Sequence, residues 1–214
     1  MPEQTASDLL AIGAVFLRPN EPFTWASGIK SPIYCDNRLT LSQPDVRDSI
    51  ERAFAQRIRE TYPECEALFG TATAGIAHAA IIAHLLDMPM GYVRGSAKDH
   101  GRNNRRDNRI EGKLVPGQKV VVVEDLISTG SSALDAARAL LDAGADVLGV
   151  VCIFTYRMTK GIRAFEQAGL KLESLTDFDT LIDVAARMGG VDKDDLPRLR
   201  AFRDNPDDPE WINK

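Results

Sequence analysis

Four consecutive valines, Val120 to Val123, run straight into the acidic pair Glu124-Asp125 and then into Leu126-Ile127-Ser128-Thr129-Gly130-Ser131-Ser132. An unbroken β-branched run argues for a strand buried on both faces, as in a parallel sheet covered by helices. Behind it, Ser132 to Ala143 carries a serine-capped helical pattern that Gly144 stops. The acids therefore stand at the carboxyl end of a strand, where open α/β sheets bind ligands. A short Gly-containing turn entering a helix offers backbone N–H groups and the positive end of the helix dipole to a phosphate. Two carboxylates repel phosphate. They are read as accepting hydrogen bonds from sugar hydroxyls, or as facing positive charge developing on a sugar, while the amides hold the phosphate. Either half alone is compatible with an ordinary strand-to-helix loop and an N-cap cluster.

A chain of 214 residues can bury a sizeable core and is read as one α/β domain over 1–214, with an N-terminal helix and hood over about 1–40, a core over about 60–190 and a tail over about 191–214. No apolar run reaches the roughly 18 residues of a membrane span, and the acidic, polar start Met1 to Asp8 is unlike a secretory signal. A cytoplasmic protein with no membrane partner is expected. Cys35, Cys65 and Cys152 are odd in number and lack metal-ligand spacing, so they read as free thiols. Net charge of −5 argues against nucleic acid as a partner. Against that background Arg94, Lys98, Arg102, Arg105, Arg106 and Arg109 form a basic island with only Asp99 and Asp107 among them. Such a run is commonly a solvated loop; its functional reading is a mobile electropositive flap for an anion.

The remaining pattern alternates strand and helix, which implies a mostly parallel sheet flanked by helices. A helix is predicted over Ser7–Leu17, two short strands around Gly28, and a helix after Ser42 with Pro44 in its first turn. Strands are predicted at 67–69, 91–93, 119–125 and 147–156, helices at 76–86, 133–143 and 160–168, then a short strand after Leu172 and a helix over 177–188. Asp192 to Lys214 reads as a loosely packed tail with Trp211 as its candidate anchor. His78 and His84, six apart on one helix, are expected to be structural rather than metal ligands.

Gly70-Thr71-Ala72-Thr73-Ala74-Gly75 is a second Gly/Thr connection between strand and helix. Ile76 stands where a nucleotide P-loop requires lysine, which argues against a kinase or ATPase. Its plain reading is a tight connection; beside the acidic motif it reads as a pyrophosphate cradle. With these two loops, Tyr92-Val93-Arg94-Gly95-Ser96-Ala97-Lys98-Asp99-His100-Gly101 and Ser27-Gly28-Ile29-Lys30-Ser31-Pro32, the chain resembles the bacterial orotate phosphoribosyltransferases over about Leu9 to Trp211.

The resemblance implies a type I phosphoribosyltransferase fold with an N-terminal hood. It implies Mg²⁺-dependent transfer of a 5-phosphoribosyl group from phosphoribosyl pyrophosphate to N1 of orotate, the ion held mainly by substrate oxygens near Glu124 and Asp125, with no direct protein ligand assigned. Lys98, His100, Glu124 and Asp125 fall at catalytic positions. Arg94, Lys98, His100, Thr71, Ala72, Thr73 and the run Glu124, Asp125, Leu126, Ile127, Ser128, Thr129, Gly130, Ser131 and Ser132 fall where that family binds phosphoribosyl pyrophosphate. Ser128, Arg157, Lys30, Tyr34 and Cys35 fall where it binds orotate. A homodimer whose loop reaches the opposite subunit's site is also implied. The chain departs from the family at Gly95, Ala26 and Ala74, where many or some members have lysine. It also places eight residues, Arg102 to Arg109, between His100-Gly101 and Ile110-Glu111-Gly112, where about five are usual. Transfer to another nucleobase, or a non-catalytic regulatory relative, are the competing readings.

Overall fold

The computed structural model describes residues 1–25, 28–95 and 109–213. Helix α1 (Pro2–Ala11) starts on a proline, whose missing N–H costs nothing in a first turn, and stops before Gly13 at φ +69°. The helix predicted to reach Leu17 is thus cut short, and Val15–Leu17 becomes strand β1. Strands β2 (Phe23–Thr24) and β3 (Lys30–Ser31) form the expected hairpin around Gly28, and β4 (Ile33–Cys35) pairs antiparallel with β1, Phe16 opposite Tyr34. Leu9 to Leu17 fits a helical period, but a partner strand distant in sequence decides the conformation of its second half.

A 3-10 segment, Asn37–Ser42, leads into α2 (Pro44–Thr61). The core then runs β5 (Ala67–Thr71), α3 (Ala74–Leu86), β6 (Met90–Val93), β7 (Ile110–Glu111), β8 (Lys119–Ile127), α4 (Ser131–Asp142), β9 (Asp146–Thr155), α5 (Thr159–Ala168), β10 (Lys171–Asp177) and α6 (Phe178–Arg187). The sheet order is β10-β9-β8-β5-β6-β7, parallel throughout except for the β6–β7 pair. Val120 to Val123 are fully buried at its centre. Their alternation sends Val121 and Val123 into the core with Phe54, Ile58 and Ile82, and Val120 and Val122 into the opposite core with Ala133 and Phe165. Strand β8 continues to Ile127, two residues beyond the predicted end at Asp125, because β9 pairs with it that far.

The predicted loose tail is corrected. Residues 196–204 form α7 (Leu196–Asp204), and Leu199, Phe202 and Trp211 are buried in the main core. Trp25 packs edge-on against both Tyr156 and Phe202, and Phe202 against Trp211, whose Nε1 donates to the main-chain oxygen of Lys30 at 3.1 Å. The hood, the end of β9 and the tail thereby share one aromatic cluster. Among the described residues no helix is long and apolar enough to cross a membrane.

Candidate active site

The two loops singled out in the sequence meet because glycine lets the backbone come close. A Cβ on Gly75 would stand 2.2 Å from the Val123 carbonyl oxygen, and one on Gly70 would stand 2.5 Å from that of Gly75. Both positions exclude a side chain, so the start of α3 lies against β8 just before the acidic pair. Thr71 Oγ1 donates to the Val123 carbonyl at 3.3 Å, and the Ala72–Thr73 peptide is cis. On the other side Gly130, at φ +79°, opens α4; a Cβ there would meet the Phe165 ring at 2.6 Å. No side chain caps the N-terminus of α3 or α4; the Ile76 N–H donates to the Thr73 carbonyl at 3.3 Å, and the remaining N–H groups of the two first turns are left for an anion.

Thr71, Ala72, Arg94, Ser131 and Ser132 line one cleft of about 340 Å³, joined by Asp135. Arg94 approaches Glu111 on β7, Nε to Oε1, at 3.4 Å. Arg109 differs from the flap role expected of it: its guanidinium turns to α4 and pairs with Asp135 at 2.7 Å, where it roots the loop. Lys98, His100 and the remainder of 96–108 lie outside the described residues, as does Ser27.

Glu124 is buried and Asp125 only half-buried, so the paired acids are not equivalent. Burial pushes the Glu124 carboxyl up to about 8; the Asp125 side chain beside it adds to the rise, and the Thr71 hydroxyl opposes it. The Asp125 N–H donates to Glu124 Oε1 at 2.9 Å. Cys152, the β9 partner of Glu124, is fully buried, and burial holds its thiol well above its ordinary value.

Ser128 and Arg157 share a separate cavity of about 380 Å³ bounded by α5 and the end of β10. Arg157 has a left-handed backbone, φ +53°, and its guanidinium reaches Asp177 at 3.2 Å. Tyr156 before it is buried, and its hydroxyl is pushed far up by burial, with the Cys35 thiol and Tyr34 hydroxyl nearby adding to the rise. The ends of β4 and β9 therefore come together. Lys30 does not join Ser128 and Arg157. The hairpin turns Ser31 inward and Lys30 outward, so its Nζ donates to Thr24 Oγ1 at 2.7 Å and its side chain lines a different cleft with Trp211 and Ile212. Asn37 and Tyr156 carry contacts that motif reading overlooked. Neither lies in a Gly-rich turn; Asn37, between Asp36 and Arg38 at the end of the Ser27 to Asn37 segment, and Tyr156, directly before Arg157, could have drawn notice only by those positions.

His78 is buried on α3, its Nδ1 2.5 Å from Glu51 Oε1 on α2, in a helix-to-helix contact away from the acidic pair.

Residues 40–177 match the Phosphoribosyl transferase domain model, which sets the class of this fold and site. The chain is 54% identical over 209 residues to orotate phosphoribosyltransferase of Bacillus subtilis (strain 168), covering 98% of this chain and 95% of that one. It therefore belongs to the orotate phosphoribosyltransferases. Among solved structures, orotate phosphoribosyltransferase from Aeropyrum pernix superposes with a TM-score of 0.72 at 27% identity, covering 86% of this chain and 97% of that one. The Mycobacterium tuberculosis orotate phosphoribosyltransferase solved with 5-phospho-α-D-ribosyl 1-diphosphate gives 0.63 at 26% identity, covering 86% and 99%.

Proposed function

We propose that the protein transfers the 5-phosphoribosyl group of phosphoribosyl pyrophosphate to N1 of orotate, releasing orotidine 5′-monophosphate and pyrophosphate in pyrimidine synthesis. The observation that carries this reading is the acidic pair set between two uncapped helix N-termini at neighbouring strand ends. As the bond from C1 to the leaving oxygen breaks and the bond to N1 forms, with the N1 proton released to solvent, positive charge grows on the ribose and negative charge on the diphosphate. Asp125 and Glu124 face the first, and the basic loop with Arg94, Lys98 and His100 faces the second. The turn Ser128–Gly130 and the start of α4, Ser131 and Ser132, receive the 5′-phosphate, while Thr71, Ala72 and Thr73 receive the diphosphate. Ser128, Arg157, Tyr34 and Cys35 form the orotate side, Arg157 offering a charge-assisted partner to its carboxylate.

The donor set suits Mg²⁺. Among the described residues no group of three or more His, Cys, Asp or Glu side chains is arranged to hold a metal. One half-buried carboxylate, Asp125, beside a buried one fits an ion that keeps its waters and binds mainly substrate oxygens. When bound, Mg²⁺ supplies positive charge to the diphosphate as it departs. The protein is further read as a homodimer in which the 94–109 loop serves the neighbouring subunit. A reducing, cytoplasmic setting agrees with its three free cysteines, Cys35, Cys65 and Cys152.

The test is the loss of orotate absorbance with purified protein, phosphoribosyl pyrophosphate and Mg²⁺, with uracil, adenine and hypoxanthine in parallel. Turnover of orotate alone is expected; turnover of another base in its place would overturn the assignment.

A further inference from the structure

Asn37 is 1% exposed, and its amide is used at both ends. Oδ1 accepts from the Cys35 thiol at 3.2 Å, and Nδ2 donates to the main-chain oxygen of Asp125 at 2.7 Å. Its own carbonyl accepts from the buried Thr40 hydroxyl at 2.6 Å, so the residue is held from three sides. Pairing of β5 with β8 covers only Val120 to Val123, and the Asp125 carbonyl lies beyond that ladder. The Asp125 N–H is already engaged by Glu124 Oε1. The two peptide groups that flank the Asp125 side chain are thus held, the preceding one by its acidic neighbour and the following one by a residue from the hood.

We propose that Asn37 is a positioning residue: it fixes the main chain of Asp125 so that both carboxylates face the ribose, and it ties that geometry to β4, which borders the base. A hydrogen bond into a partly buried carbonyl is the right device. It adds no charge beside the acids, and an unmet carbonyl there would favour rotation of the peptide. Electrostatic stabilisation of a sugar cation depends on placement, and a displacement of about 1 Å at such a site costs on the order of a hundredfold in rate. The inference rests on the reading of Glu124 and Asp125 as the acids on the sugar.

The experiment compares Asn37→Ala, the near-isosteric Asn37→Asp, Asp125→Asn and a control, Ile58→Val, about 21 Å along α2 from its first residue. For each, kcat, both KM values, phosphoribosyl-pyrophosphate affinity by calorimetry and Tm are measured. Both Asn37 variants are expected to lose about thirty- to a hundredfold in kcat, with sugar-phosphate affinity within about twofold of the parent. Ile58→Val is expected to lower Tm while keeping kcat. Asn37→Asp retains the size of the side chain, so it stands as the test where Asn37→Ala does not fold. Near-normal kcat in the Asn37 variants, or a loss no greater than the fall in folded fraction, overturns the inference while Asp125→Asn remains impaired. Full turnover by Asp125→Asn instead removes the reading on which it rests.

Discussion

Arg109 Nη1 meets Asp135 Oδ2 at 2.7 Å, and Nη2 of the same guanidinium meets the Asp135 main-chain oxygen at 3.1 Å. This joins the C-terminal root of the basic loop to the second turn of α4. The N-terminal root is closed beside it, since the Arg94 N–H donates to the Arg109 carbonyl at 2.9 Å. Arg109→Ala should therefore release the loop root and leave the Asp135 carboxylate unneutralised on the cleft. Both effects weaken anion binding, and a rise of about three- to tenfold in KM for phosphoribosyl pyrophosphate is expected, ~0.7–1.4 kcal/mol. Asp135→Asn should do less, because it also removes a repulsive charge. Steady-state kinetics on the two variants make the comparison.

Asp125→Asn keeps size and removes charge. If the acid acts on a cation that exists only near the transition state, kcat should fall about a hundredfold, ~2.7 kcal/mol, with little loss of sugar-phosphate affinity. Calorimetric titration beside kinetics separates the two. Equal losses in binding and turnover would contradict the assignment.

Glu124 links function to pH-dependent stability. Its folded pKa is raised from 4.5 to about 8, so between those values the unfolded chain has released a proton that the folded chain retains. Its stabilising contribution is fully present below pH 4.5 and is lost as pH rises through 8. Glu124→Gln cannot ionise, so its Tm should gain on that of the parent from pH 5 to pH 8.5. A Tm difference that does not change with pH would show that burial of this carboxyl carries no such cost.

Gly130→Ala adds a methyl group at φ +79° and against the Phe165 ring. The left-handed backbone alone costs about 1–2 kcal/mol, and at about 2–4 °C per kcal/mol for a chain of this size a Tm loss of about 2–8 °C is expected. Sugar-phosphate affinity should weaken as the first turn of α4 shifts. Thermal denaturation and ligand titration on one sample check both.

Mixing tests the shared site. Lys98→Ala and Asp125→Asn proteins, each nearly inactive, should regain activity after subunit exchange, because a mixed dimer can assemble one site with neither substitution. Exchange without recovery would mean that each chain supplies its own loop.

Val120 to Ser132 could be read directly because burial on both faces, the acidic pair and the turn into α4 are all encoded by residues adjacent in the chain. The same holds for α2, where Val46, Ile50, Phe54 and Ile58 return to one face of a helix. Val15–Leu17 could not be read this way. Its residues suit helix or strand equally, and the β4 partner decides between them. The tail reads as charged and proline-rich, yet Phe202 and Trp211 are buried because Trp25 and Tyr156, far away in sequence, complete their packing.

Within the candidate site, residue types singled out the acids and the two Gly-containing turns as candidates, because the chemistry of phosphate and sugar restricts which groups can serve. Tertiary structure alone decided that Lys30 faces Thr24, that Arg109 pairs with α4, and that Asn37 holds the Asp125 carbonyl. Each of these depends on the direction of one side chain toward a group many residues away. Local sequence sets secondary structure and the exposed chemistry of a turn. A hydrogen bond between distant residues exists only once packing has brought donor and acceptor within about 3 Å.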